Sequence, residues 1–154
     1  MKQNPFDSKH PPRIYMSLGS SFNNKPELWK SVLKVMNEKQ YPTICGCGGN
    51  EELSKTLSQF KEDFSWEYIE VQSWANQREI LANSDLYFCH GGASSTYEGM
   101  YFEVPVLMLP QEAPDQLPNS LMMEKFKAGL LVDQSEVYTN PSGFQSEVQN
   151  KIEK

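Results

Sequence analysis

Long apolar runs are missing from this 154-residue chain. A helix that crosses a bilayer needs about 20 consecutive apolar residues, so direct membrane insertion is not expected. Residues 1–13 are polar and Pro-rich. Without an apolar h-region they show no signal peptide, and they read as a disordered or extended tail. Cysteine is scarce: only Cys45, Cys47 and Cys89. An odd count with no secretion signal gives no disulfide framework and points to a reducing, cytoplasmic location. Cys45 and Cys47 have the wrong spacing for a zinc knuckle, and the histidines are only His10 and His90. No metal site is expected, and the two thiols read as small apolar filling on one strand face. Positive charge is also short. With 14 Lys+Arg against 20 Asp+Glu the formal net charge is −6, which disfavours nucleic acid as a partner.

Large side chains are plentiful: three Trp, seven Tyr and eight Phe exclude a disordered chain. The length fits one domain, read over residues 14–154. One domain is little room for an enzyme that must hold two substrates.

Strand and helix signals alternate along the chain. Residues 13–18 form an apolar run stopped by Gly19, and residues 42–47, 66–71, 85–89, 105–109 and 130–132 are further short runs. Between them, apolar residues recur at helical spacing from Pro26 to Met36, and Asn50 with Glu51 and Glu52 opens a helix to Phe60. Helices are also expected at residues 77–81, 94–101, 115–127 (punctuated by Gly129) and 142–152, the last on the weak support of Val148 and Ile152. Apolar strands that alternate with helices predict an α/β fold: a Rossmann-like, doubly wound, mostly parallel sheet with helices on both faces. Crossovers are expected to be right-handed.

Ligands of such sheets gather at the carboxyl ends of the strands. Two loops there suit close backbone approach: Gly19-Ser20-Ser21, and the run from His90 through Gly91, Gly92, Ser94 and Ser95 to Thr96. Paired glycines admit a ligand to the main chain, and free N–H groups at a helix start attract a phosphate. The same residues also fit an ordinary strand-to-helix connection, and His90 also fits a hydrogen-bonded core histidine. Trp74, Ala75 and Gln77 precede a short helix, Glu98 follows the hydroxyl run by one turn, and Asp115 and Gln116 follow the fifth strand. Trp offers a stacking face for a base, and a carboxylate accepts from vicinal hydroxyls. Singly, Trp74 fits a core aromatic and Glu98 a solvated helix residue. Together they describe a nucleotide-sugar pocket.

Trp74-Ala-Asn-Gln77, His90-Gly-Gly-Ala-Ser-Ser-Thr-Tyr-Glu98, Val104-Pro-Val-Leu-Met-Leu-Pro110 and Asp115-Gln116-Leu-Pro-Asn119 resemble the donor-binding signature of two-domain GT-B glycosyltransferases. The match is to the UDP-glucuronosyl-, plant glucosyl- and bacterial macrolide glycosyltransferases. The stretch from Ile14 to Phe22 is similar to the start of their C-terminal domain. This resemblance implies one half of a GT-B fold that takes a UDP-sugar as donor substrate, with no other cofactor. It implies that Trp74 stacks on uracil, the Ala75 backbone meets its edge and Gln77 contacts the nucleoside. His90 and the groups around Gly91, Gly92, Ser94 and Ser95, with Ser20, would hold the diphosphate. Glu98 would hold the ribose, and Asp115 with Gln116 the transferred sugar. Asn76 departs from the family's Pro, and Ala93 and Ser94 depart from the Trp and Asn of plant members. The catalytic base and acceptor site are expected in an N-terminal domain or partner subunit, leaving no catalytic residue here. A non-catalytic UDP-sugar binding or interaction module is the alternative. The epimerase or lipid-disaccharide synthase branch of the fold is a third reading.

Overall fold

The computed structural model describes residues 10–21 and 23–154, so most of the expected tail, and Phe22, lie outside the described residues. Among the described residues six strands and six helices follow in strict alternation: β1 (Ile14–Ser17), α1 (Pro26–Glu38), β2 (Thr43–Gly46), α2 (Glu51–Asp63), β3 (Ile69–Gln72), α3 (Gln77–Ala82), β4 (Leu86–Cys89), α4 (Ala93–Tyr101), β5 (Val106–Met108), α5 (Gln116–Lys125), β6 (Gly129–Leu131) and α6 (Pro141–Ile152). The strands form one sheet in the order β3-β2-β1-β4-β5-β6. Every pair is parallel, so the sheet is wholly rather than mostly parallel.

The period of two along each strand divides the core between the sheet's faces. Ile14, Met16, Phe88 and Leu107 meet α1, α2 and α6 on one face. Tyr15, Tyr87, Val106 and Met108 meet Leu81 of α3 and Met123 of α5 on the other. Pro26 opens α1 where a missing N–H is harmless. Asn50 caps α2, its side chain accepting from Leu53 N at 3.0 Å. Helix α6 buries Phe144, Val148 and Ile152 at four-residue spacing, a stripe in which Phe144 adds what the other two lacked as a signal. Cys45 and Cys47 lie buried in the first core and Cys89 in the second. Burial pushes the Cys47 thiol up to about 11.

Four helices end by one device. Gln40, Ser65, Glu103 and Lys127 adopt φ between 51° and 58°. The residue after each donates back five positions, as Trp66 N does to Lys61 O at 2.9 Å and Ala128 N to Met123 O at 2.9 Å. These are Schellman closures made without glycine. They move two expected boundaries. Trp66 belongs to the reversal after α2, so β3 begins at Ile69 rather than at 66. Lys127, not Gly129, turns the chain after α5, and Gly129 instead opens β6, where a Cβ would stand 2.4 Å from Val106 Cγ2.

The left-handed conformation costs a non-glycine residue about 1 kcal/mol. Lys127→Gly is therefore expected to raise the unfolding free energy by about 0.5–1 kcal/mol in urea denaturation. Phe88→Ala, which empties the centre of β4, is expected to lower it by about 3–5 kcal/mol.

Candidate functional site

The carboxyl ends of β1, β2 and β4 deliver three turns to one edge of the sheet, and a cavity of about 520 Å³ opens between them. Ser20, Trp74, Ala75, Gln77, His90, Gly92, Ser94, Ser95 and Asp115 line it, joined by Tyr15, Ser17, Gly19, Gly46, Gly48 and Ala93. Gly91, Glu98 and Gln116 are not among its lining residues. A larger groove of about 830 Å³ runs along β2, β3 and α3 and collects none of the expected site residues.

Glycine brings the turns together. Gly19 and Gly48 have φ of 80° and 62°, and a Cβ on Gly48 would lie 2.4 Å from Gly19 O. Asn23, 3% exposed, locks this approach. Its Nδ2 donates to Gly19 O at 2.7 Å and to Cys47 O at 2.9 Å, and its Oδ1 accepts from Asn50 Nδ2 at 3.1 Å. Gly91, with φ of 80°, has no room for a Cβ against Ser120 and Gln116. It shapes the turn, and Asn119 Nδ2 donates to its carbonyl at 3.2 Å.

His90 sits where the loops converge. A Cβ on Gly19 would stand 2.9 Å from its Cε1, and one on Gly92 would stand 2.3 Å from its Nε2. The imidazole therefore lies wedged between two glycine backbones. Its Nδ1 is buried with no hydrogen-bond partner in the structure, so this is not a satisfied core histidine. Burial lowers its pKa below the ordinary 6.5, against a weaker upward pull from Asp115. Beside it, α4 starts at Gly92 with no side-chain cap, so the first-turn N–H groups at Ala93, Ser94 and Ser95 lack helical acceptors. Thr96 turns its hydroxyl back to Gly92 O and Ala93 O at 3.1 and 2.9 Å.

Trp74 is 75% exposed and not a core aromatic. Its ring lies over Gly49, where a Cβ would come within 3.4 Å of Cε3. Tyr15 and Tyr87, their rings stacked 5.2 Å apart, both donate their hydroxyls to Gln77 Oε1, at 3.3 and 3.2 Å. Gln77 Nε2 donates in turn to Glu98 Oε2, and Arg78 Nε reaches Glu98 Oε1 at 3.5 Å. Burial raises both phenols, Tyr15 to about 12, so they remain donors. Glu98 is thus held from the α3 side rather than left as a solvated helix residue. Asp115 is exposed at the start of α5 and makes no cap bond. Gln116 is 4% exposed and its Oε1 accepts from Gln111 N at 2.6 Å, which turns that group into the β5–α5 loop. Among the described residues no cluster of three or more His, Cys, Asp or Glu could hold a metal ion.

Sequence reasoning did not find Asn23, Tyr15, Tyr87 or Gly48. Tyr15 and Tyr87 read as core strand residues, and Asn23 as an ordinary loop polar. The Gly48-Gly49 pair after β2 was the available signal, being a second paired glycine at a strand end.

The lowered pKa of His90 has a defined consequence for stability. The unfolded chain takes up the proton first as pH falls through 6.5, so His90 contributes stability above that pH and loses it below. His90→Asn is expected to flatten the fall in urea stability between about pH 7.5 and 5. Gly92→Ala, which displaces the imidazole, is expected to move the His90 NMR titration back toward 6.5.

Residues 19–154 match the family model described as Glycosyltransferase family 28 C-terminal domain. An uncharacterised UDP-glucosyltransferase of Bacillus subtilis strain 168, YojK, is 30% identical over 124 residues, which span 80% of this chain and 29% of that protein. The oleandomycin glycosyltransferase of Streptomyces antibioticus is 26% identical over 111 residues, 72% of this chain and 24% of that one. The chain thus spans about three-tenths or less of the length of these curated relatives. Among solved structures, the calicheamicin glycosyltransferase CalG4 superposes with a TM-score of 0.76 at 18% identity, over 97% of this chain and 36% of its own. A UDP-glucose:anthocyanidin 3-O-glucosyltransferase solved with UDP gives 0.72 at 22% identity, over 93% and 32%. The fold is that of the C-terminal donor domain in GT-B glycosyltransferases, and by the match over nearly its whole length the chain belongs to the glycosyltransferase family 28 C-terminal domain family.

Proposed function

We propose that this chain is the donor-binding half of a UDP-sugar-dependent glycosyltransferase, which transfers a hexose-type sugar to an acceptor hydroxyl. The observation that carries this reading is the conjunction at one cavity of the unpartnered His90 Nδ1, the uncapped start of α4 and the exposed Trp74. The family match and the UDP-glycosyltransferase names of the relatives support it. In this reading Trp74 stacks on the uracil, the Ala75 backbone meets its edge and Gln77 contacts the nucleoside. Glu98, oriented by Gln77 and Arg78, accepts from the ribose hydroxyls. Asp115 and Gln116 hold the transferred sugar, for which Gln116 must turn from the β5–α5 loop.

The diphosphate lies on the N–H groups and hydroxyls of Ser94 and Ser95, beside Ser20 and the Gly91-Gly92 backbone. Neutral His90 donates to it and becomes easier to protonate as negative charge arrives. When the acceptor oxygen attacks the anomeric carbon, the bond to the β-phosphate oxygen breaks and UDP leaves carrying the electron pair. Fixed N–H dipoles and His90 stabilise that charge where it develops. Direct attack inverts the anomeric centre. The general base and the acceptor site come from an N-terminal domain or partner subunit, and this chain alone binds donor without transferring it. Its three unpaired, buried cysteines suit the cytoplasm.

Titration calorimetry with UDP tests the assignment. The wild type is expected to bind, and Trp74→Ala and Glu98→Ala are each expected to weaken binding by about 1–3 kcal/mol, roughly 5- to 150-fold. No heat from the wild type, or equal heat from Glu98→Ala, refutes it. Binding without transfer, when an acceptor domain is supplied, would make the chain a UDP-sugar-binding module instead.

A further inference from the structure

Two adjacent helices on one face of the sheet are built inside out. Toward the core α4 turns Ser95, Thr96 and Gly99, and α5 turns Gln116, Ser120 and Met123. Their outward faces carry the large apolar side chains: Tyr97, Met100 and Tyr101 on α4, and Leu117, Leu121, Met122 and Phe126 on and just after α5. An amphipathic helix on a soluble domain shows the opposite arrangement.

The two outward faces join into one patch. Glu98, bonded to Gln77 and Arg78, marks the side of α4 turned to α3. At 100° per residue Met100 then lies on the other side, toward α5. Asn119, bonded to Gly91 O, marks the side of α5 turned to α4, and Met122 and Phe126 project on that side. Taking about 200 Å² for a fully exposed large side chain, the patch offers roughly 800 Å². That exceeds the roughly 300–600 Å² of a typical monomer's largest apolar patch and equals one partner's share of a standard interface.

We propose that the outer faces of α4 and α5 form the two-fold interface of a homodimer of this chain. Area selects the second copy as occupant: the patch matches one partner's share of a standard interface, and the seven large side chains that make it are uncharged. Lys125 is the one charged residue on the outward face of α5, and Glu124 is turned away to Leu131 N at 3.1 Å. Beside the patch stand Glu103 after α4 and Lys125 and Lys127 around Phe126, too few charges of either sign to draw a basic partner or an anionic lipid surface. A two-fold axis sets each α4–α5 ridge against its own copy and buries the same residues from both sides. The contact is separate from the cavity, so the proposal is independent of the nucleotide reading.

Sedimentation velocity of the whole chain at about 100 μM is expected to give twice the monomer mass. Tyr101→Glu combined with Phe126→Glu is expected to give the monomer mass with unchanged circular dichroism. Tyr138→Glu, 64% exposed outside the patch, is expected to leave the dimer intact. Hydrogen exchange on the wild type needs no variant: protection of α4 and α5 is expected to rise with concentration while that of α1 and α2 does not. A wild type of monomer mass, or a doubly substituted chain that still dimerises, overturns the proposal. A monomer that co-sediments with phosphatidylserine-containing vesicles overturns it in favour of a lipid surface.

Discussion

The buried carboxamide of Asn23 ties the loop after β1 to the loop after β2 through Gly19 O and Cys47 O, and the rest of the carboxyl edge is stacked on that tie. Its backbone carbonyl also receives Trp29 Nε1 at 3.0 Å, which fixes the first turn of α1 to the same point. Each neutral bond contributes only about 1 kcal/mol net, but a buried polar group left without its partner costs about 1–3 kcal/mol. Loss of the Asn23 side chain would strand Gly19 O and Asn50 Nδ2 together, while Cys47 O would keep Asn50 N and the indole would keep its backbone acceptor. The dependence then runs outward. Gly48 lies against Gly19 because the loops are tied, and Gly19 forms one wall of the slot that holds His90. Gly92 forms the other wall, so the strand-four loop is placed relative to the strand-one loop through an imidazole ring.

This arrangement gives a net-acidic chain an edge whose local potential suits an anion. No cluster of lysines is needed. The favourable groups are main-chain N–H dipoles at the start of α4, fixed by helix geometry and worth most where water is partly excluded. The same exclusion keeps His90 neutral and the two tyrosines protonated. The edge is therefore polar without being charged, apart from Asp115 and Glu98. Glu98 is already engaged by an amide and a guanidinium.

Strands and helices were legible because each apolar run has only one compatible period and is bounded by Gly, Pro or Asn. The helix ends were less so. A left-handed residue at C′ normally announces itself as glycine, and here Gln40, Ser65, Glu103 and Lys127 fill that role, so two boundaries were misplaced. At the cavity, lining residues with side chains of distinctive chemistry could be read, as with Trp74 and His90. Asn23, Tyr15 and Tyr87 could not, because they act through partners distant in sequence. Asn23 bonds Cys47, 24 positions on, and Tyr15 bonds Gln77, 62 positions on. No local pattern encodes such a pairing.

The uneven burial of the three tryptophans also makes the chain its own optical probe. Trp29 is fully buried and Trp66 nearly so, whereas Trp74 is 75% exposed. An indole in an apolar core emits to the blue, and one in water emits to the red and is open to quenchers. The red component therefore comes from a single ring at the mouth of the cavity. A base stacked on that ring would extinguish it and leave the blue emission of Trp29 and Trp66 as an internal reference.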